Sequence, residues 1–386
     1  MLGLDPQNST VKRIYEHWES KSENRRPYLG ASAIGHECTR RLWLSFRWTF
    51  QEKFEGRILR LFNRGHREEP VFEEEMRAIG CQLEGTQHEE VDHKGHFKMH
   101  CDGAILGLVE APKTWHVADF KTMSDKSFKK FQKCETDDDF AEEYPHYHGQ
   151  LHVEMEMMGL DRAVLIAVNK NNDELGMLRL KKSEAGAYYL NRALEIIEAE
   201  APEPLNRKPT DFRCRFCPAN EVCHGKKAPE INCRNCCYST PVEDGKWACA
   251  KHDGEIIDKE FIPLGCDSHI WVPGILPMEM GDFGPGWIAY NNGLVNYSAG
   301  CEVPEEIIEN SQAVATSLEI VKHFDGLRDG NFESILSERT SFPEVTTDGE
   351  FTDCEPEPDE RKQMLLDLIE EGDENAKADF QKEYGK

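Results

Sequence analysis

Between residues 57 and 168 the apolar period of this chain switches repeatedly, and that order limits the fold more than any other feature. From about Arg57 to Ile79, the residues Ile58, Leu61, Phe62, Val71, Phe72 and Met76 recur at helical spacing. Residues 96 to 121 read as strands, His96 to Asp102 and Thr114 to Lys121, separated by a turn at Gly103 or Gly107. Residues 146 to 158 return to helix, and Val164 to Val168 is a short apolar run suited to a buried strand. Helix, strands, helix and strand in that order predict an α/β core. Helices are also expected over residues 9 to 27 and from Ser183 to Ala201, the latter stopped by Pro202.

Charged and polar residues fall at particular points of this frame. Glu69 lies on or beside the first helix, Asp102 and Asp119 end two strand-like runs, and Gln150 sits on the second helix. Lys121 follows Asp119 by two positions, so both face the same side of their strand. Two carboxylates on neighbouring strands can hold Mg²⁺ or Mn²⁺ through hard oxygen ligands, with the Phe120 carbonyl as an extra oxygen and Glu69 completing the shell or orienting a bound water. Lys121 would position the attacking water, help deprotonate it, or offset developing negative charge. An Asp-x-Lys triplet arises by chance among 72 acidic and 46 basic residues, usually as a solvated strand end. Two carboxylates both ending apolar strands, one beside a glycine, are the rarer arrangement, and they point to metal-assisted phosphodiester hydrolysis.

The 14 cysteines form clusters. The start, residues 1 to 18, has no basic stretch leading into an apolar one, and no apolar run reaches 18 residues, so a cytoplasmic location away from membranes is expected. Under those reducing conditions clustered cysteines predict metal rather than disulfides. Cys214-x2-Cys217-x5-Cys223 is compact enough for one metal centre, with Cys38 as fourth thiolate, and four thiolates suit iron–sulfur or zinc alike. Cys233-x2-Cys236-x12-Cys249-x16-Cys266, with Cys237 as an alternative ligand and His252 and His269 nearby, reads as a zinc ribbon whose metal supplies folding energy. Cys81, Cys101, Cys134, Cys301 and Cys354 read as ordinary thiols.

A formal charge of −26 is unlike that of most nucleic-acid binders. The charge is uneven, however. Residues 343 to 386 hold 15 acidic against 5 basic residues, a net of −10, and read as largely disordered around one short helix at residues 359 to 371. By contrast, Lys121 to Lys133 holds five lysines against one aspartate. Lys126, Lys129, Lys130 and Lys133 are the expected phosphate contacts, with Arg40 and Arg41 as a second group, although helical lysines usually only solvate a face. A helix is also expected from Pro304 to Phe324.

Four segments together resemble the PD-(D/E)XK nuclease superfamily, in particular its RecB-like exonuclease branch of phages and CRISPR spacer acquisition. They are Arg64-Gly65-His66-Arg67-Glu68-Glu69, Cys101-Asp102-Gly103, Asp119-Phe120-Lys121 and Tyr147-His148-Gly149-Gln150. The resemblance covers about residues 28 to 228 and implies a restriction-endonuclease-like core, a mixed central sheet flanked by helices. It also implies a catalytic set of Glu69, Asp102, Asp119, Lys121 and Gln150, with Tyr147 on the DNA side. His66 or Glu68 would replace Glu69 under a shifted alignment. Glu154 stands where relatives often carry a tyrosine. One remote cysteine followed by three late ones is similar to the clamp that closes related exonucleases around a [4Fe–4S] cluster.

The resulting expectation is a phage-encoded DNA exonuclease acting in recombination, repair or processing, located in the host bacterial cytoplasm. Its expected domains are a nuclease domain over residues 1–228, a zinc module over 229–300, and a helical segment with an acidic tail over 301–386. That tail would recruit a replication or recombination protein. The alternative is a catalytically inactive, metal-stapled protein that binds a partner through its acidic surface.

Overall fold

The computed structural model of the chain describes residues 9–21, 25–198 and 200–339. Helix α1 (Thr10–Glu19) begins at Ser9, whose side chain accepts the Lys12 N–H at 3.2 Å. Strand β1 (Leu29–Gly30) runs into the single turn α2 (Ala31–Ile34) and then α3 (Thr39–Phe46). The N-cap of α3 is Cys38, whose Sγ accepts the Arg41 N–H at 3.4 Å. Helix α4 (Gly56–Ala78) carries Glu69 just before an internal proline, Pro70.

The strand-like stretch becomes β2 (Gln82–Glu84), β3 (His88–Asp92), β4 (Phe97–Cys101), β5 (Gly103–Leu106) and β6 (His116–Met123). Helices α5 (Asp125–Phe131), α6 (Asp137–Glu143) and α7 (Pro145–Met157) follow, then β7 (Arg162–Asn169), β8 (Leu175–Lys181) and α8 (Ala185–Glu198). The central sheet has the order β2-β5-β6-β7-β8, with β6 and β7 parallel and the other pairs antiparallel. The protein is therefore α/β, with a mixed sheet flanked by helices. Strand β7 is buried along nearly its whole length, which explains its unbroken apolar run. Alternate residues of β6 and β7 serve two cores. Ala118, Phe120, Val164 and Ile166 pack with Phe72 of α4, while Val117, Leu165 and Ala167 pack with Leu151 and Met155 of α7. Asp119 and Lys121 share the parity of Val117 and so lie on the α7 side.

Helix α7 is held close to the α2 turn by two glycines. A Cβ at Gly35 would lie 1.8 Å from the Pro145 carbonyl oxygen, and one at Gly149 would lie 2.9 Å from the Gly35 Cα. Only a residue without a Cβ permits that approach.

Beyond α8 the structure departs from expectation. Residues 239 to 256 form a small sheet of β9 (Ser239–Pro241), β10 (Trp247–Cys249) and β11 (Glu255–Ile256). Residues 280 to 297 yield β12 (Met280–Gly284), β13 (Trp287–Tyr290) and β14 (Leu294–Tyr297). The helix expected from residue 304 to 324 is broken into Glu305–Glu309, Ser317–Lys322 and Phe324–Arg328 by β15 (Ala313–Ala315), which pairs parallel to β14. Pairing with a distant strand there outweighs local helical spacing. The position expected to divide the nuclease domain from a zinc module, after residue 228, is bridged by one core in which Trp247, Trp271 and Ile275 join Trp43 and Phe46. The described residues up to Ser337 belong to one compact unit. The acidic tail, its expected short helix and Cys354 lie outside the described residues. No described helix is long and apolar enough to cross a membrane.

Candidate active site

Strands β5 and β6 and helices α4 and α7 bring the expected residues to one place. Asp102 precedes β5, and its Oδ2 accepts the Phe120 N–H at 2.7 Å. Asp119 is 1 % exposed, and its Oδ1 accepts hydrogen bonds from Lys121 Nζ and from Gln150 Nε2, the latter at 3.1 Å. Gln150 Nε2 also donates to Glu154 Oε1 at 2.8 Å. Tyr147, just before Gln150 on α7, places the centre of its ring 5.3 Å from Lys121 Nζ.

Glu69 on α4 is 22 % exposed and is bonded to His66 Nδ1 at 3.2 Å and Gln87 Nε2 at 3.4 Å. Its charge acts on both Asp102 and Asp119. Glu68 instead pairs with Arg64, and His66 is largely exposed. Phe120 turns its ring to the opposite side of the sheet, stacked on Phe72 with centroids 4.9 Å apart.

The electrostatics of this centre are strongly unbalanced. Burial, reinforced by Asp119, pushes the Asp102 carboxyl up to about 7. Burial also raises Asp119, against the pull of Lys121. Burial would lower Lys121, but Asp119 and Asp102 outweigh it and hold the side chain as an ammonium. Glu154, which the resemblance marks only as a departure from a tyrosine, is fully buried, and burial followed by Asp119 raises its carboxyl well above the usual range. Its position four residues after Gln150, on the same helical face, is the signal that would have placed it here. Asp119 Oδ2 and Glu154 Oε2 are buried and take part in no hydrogen bond. Such oxygens are costly to bury. Three buried carboxyls around one ammonium, with free oxygens, form a donor set that fits a hard divalent cation.

The basic residues are distributed differently from expectation. Arg40 is a correction: its guanidinium is buried and donates to the Pro202 and Gly274 carbonyls, both at 2.7 Å, so it joins distant segments and is not available to phosphates. Arg41 pairs with Glu52 at 3.6 Å. Lys129 pairs with Asp125 at 2.8 Å and Lys130 with Glu143, while Lys126 is exposed.

Cys38, Cys214, Cys217 and Cys223 line one cavity with His36 and Arg41. Burial raises the thiols of Cys217 and Cys223, opposed by Arg41 and Arg40 respectively. Cys233, Cys236, Cys249 and Cys266 also converge: burial, then the other three, pushes the Cys233 thiol up to about 12. His269, expected near this set, spends both ring nitrogens on Ser317 Oγ at 3.0 Å and Asn235 Oδ1 at 2.8 Å.

No protein-family model matches the sequence, and no curated protein does. Among solved structures, the chain is similar to the crystal structure of SSO0001 at a TM-score of 0.35 and 11 % identity, over 56 % of this chain and 97 % of that one. It is also similar to an alkaline exonuclease, LHK-Exo, from Laribacter hongkongensis at a TM-score of 0.33 and 14 % identity, over 47 % of this chain and 90 % of that one. The complex of LHK-Exo with dAMP gives a TM-score of 0.32 at 14 % identity, over the same 47 % and 90 %. These likenesses are distant in both score and identity.

Proposed function

We propose that this protein is a metal-dependent DNA nuclease of the PD-(D/E)XK type, acting as an exonuclease in phage DNA recombination, repair or processing. The observation that carries the reading is the buried meeting of Asp102, Asp119, Lys121 and Gln150, with Asp119 Oδ2 left unpartnered. Asp102, Asp119, Glu69 and the Phe120 carbonyl would hold Mg²⁺ or Mn²⁺, which when bound supplies Lewis-acid polarisation and a water of lowered pKa. Gln150 holds Asp119 through Oδ1 and so leaves Oδ2 for the cation. Lys121 stays protonated beside two carboxylates, so it orients water and offsets negative charge on the phosphate rather than removing a proton.

Tyr147, Arg41, Lys126, Lys129 and Lys130 would carry the DNA backbone. Cys38, Cys214, Cys217 and Cys223 would hold a [4Fe–4S] cluster that ties the start of α3 to the segment after residue 211. Cys233, Cys236, Cys249 and Cys266 would hold Zn²⁺. The acidic tail would engage a replication or recombination protein.

The test uses anaerobically purified protein with Mg²⁺ or Mn²⁺ on end-labelled linear and closed circular DNA, beside Asp119→Ala and Lys121→Ala. Degradation of linear DNA that disappears in both variants and with chelator is expected. Cutting of circles would make the enzyme an endonuclease, and no metal-dependent cleavage by cluster-loaded protein would overturn the proposal.

A further inference from the structure

Helix α7 has a second polar face. His148 and His152 are one turn apart, on the side rotated about 200° from Gln150 and Glu154 at ~100° per residue. Both are buried, and both Nε2 atoms face Asp137 at the start of α6, His148 at 3.3 Å from Oδ2 and His152 at 3.1 Å from Oδ1. One ligand atom from each of the three residues lies within 4.8 Å of the others.

We infer that Asp137, His148 and His152 form a Zn²⁺ site that fastens α6 to α7 on the side opposite the carboxylate centre. Two histidines at i and i+4 on one helical face, with a carboxylate from a neighbouring element, are a zinc-ligand pattern. Each imidazole Nε2 faces its own oxygen of the Asp137 carboxylate, at 3.3 and 3.1 Å, so a cation held between them would take both histidines and this one carboxylate. The outer nitrogens are also held: His148 Nδ1 lies 3.2 Å from Tyr189 Oη and His152 Nδ1 3.4 Å from Ser183 Oγ. With those nitrogens protonated and donating, each Nε2 presents its lone pair to the metal, the outer-shell support usual for ligating histidines. The Asp137 side chain is 41 % exposed, which supplies an entry path and leaves the fourth position to water.

The competing account is a hydrogen-bonded staple in which both Nε2–H groups donate to Asp137. The experiment is a zinc-edge anomalous difference map of crystals of the full-length protein grown with Zn²⁺, with the zinc content of wild type and Asp137→Ala measured in parallel. The proposal expects a peak within bonding distance of His148 and His152, and one equivalent less zinc in the variant with the cysteine sites still occupied. Zinc at the cysteine sites with no peak at the trio, or equal content in both proteins, overturns it. If Asp137→Ala fails to fold, the wild-type map alone decides. Neither measurement reads cleavage, so the outcome is independent of the nuclease reading.

Discussion

Replacing Asp102 by Asn will remove a pH-dependent weakness from the metal-free protein. The folded carboxyl titrates at about 7 against an ordinary 3.8, chiefly because it is buried and secondly because Asp119 is beside it. A group whose folded pKa is raised binds its proton more tightly in the native state, so stability falls as pH rises. The penalty is absent below 3.8, grows through the interval, and is complete above about 7. A rise of that size corresponds to about 4 kcal/mol at ~1.36 kcal/mol per pH unit. This is an upper bound, since part of it is repulsion shared with Asp119. Asn keeps an oxygen for the Phe120 N–H and carries no charge. In buffer free of Mg²⁺ and Mn²⁺, wild type and Asp102→Asn should therefore melt together near pH 4 and diverge towards pH 8. The variant should be ahead by up to ~8 °C there, at roughly 2 °C per kcal/mol for a unit of this size. Comparing the two proteins cancels the buried histidines and the overall charge of −26, which change with pH in both. Adding Mn²⁺ should raise wild type at high pH and leave the variant nearly unchanged. Parallel melting curves from pH 4 to 8 without metal would refute the reasoning.

Burial, then Asp119, raises the Glu154 carboxyl well above its ordinary range, which favours the neutral acid in the folded protein. Glu154→Gln should accordingly change metal-free stability by less than ~1 kcal/mol in urea denaturation, whereas a gain of several kcal/mol would show that Glu154 is ionised. Arg40→Ala removes the two charged hydrogen bonds that tie residues 202 and 274 to α3 and should cost about 1.5–3 kcal/mol while leaving the DNA affinity of the folded fraction unchanged. Loss of DNA binding in fluorescence anisotropy at unchanged stability would restore Arg40 as a phosphate contact. Gly35→Ala would force α7 off the α2 turn and should cost at least ~2 kcal/mol, with cleavage falling as Gln150 moves. An unchanged melting temperature would contradict that packing.

The α/β order of the first half was readable because period is local: helical spacing over residues 58–76 became α4, and the apolar run at 164–168 became the centre of β7. The pairing of Asp119 with Lys121 followed from strand parity alone. Strand β8 is not marked by alternation because apolar residues stand on both its faces, Leu175 and Met177 on one and Leu178 and Leu180 on the other. The helix expected at 304–324 failed because β15 is stabilised by β14, a partner that helical spacing cannot register.

Residue types at short spacing thus set out the chemistry in advance: which carboxylates share a face, which thiols form pairs, and where the helices begin. Burial and long-range partners lay beyond that reading, because both depend on segments far apart in the chain. Arg40 is claimed by carbonyls 162 and 234 positions away, and Glu154 becomes part of the carboxylate centre through desolvation by the surrounding fold. Asp137 meets His148 and His152 only because α6 folds back on α7. Covalent proximity determines periodicity and parity, while desolvation, and with it the charge state of every buried group, exists only once the chain has packed.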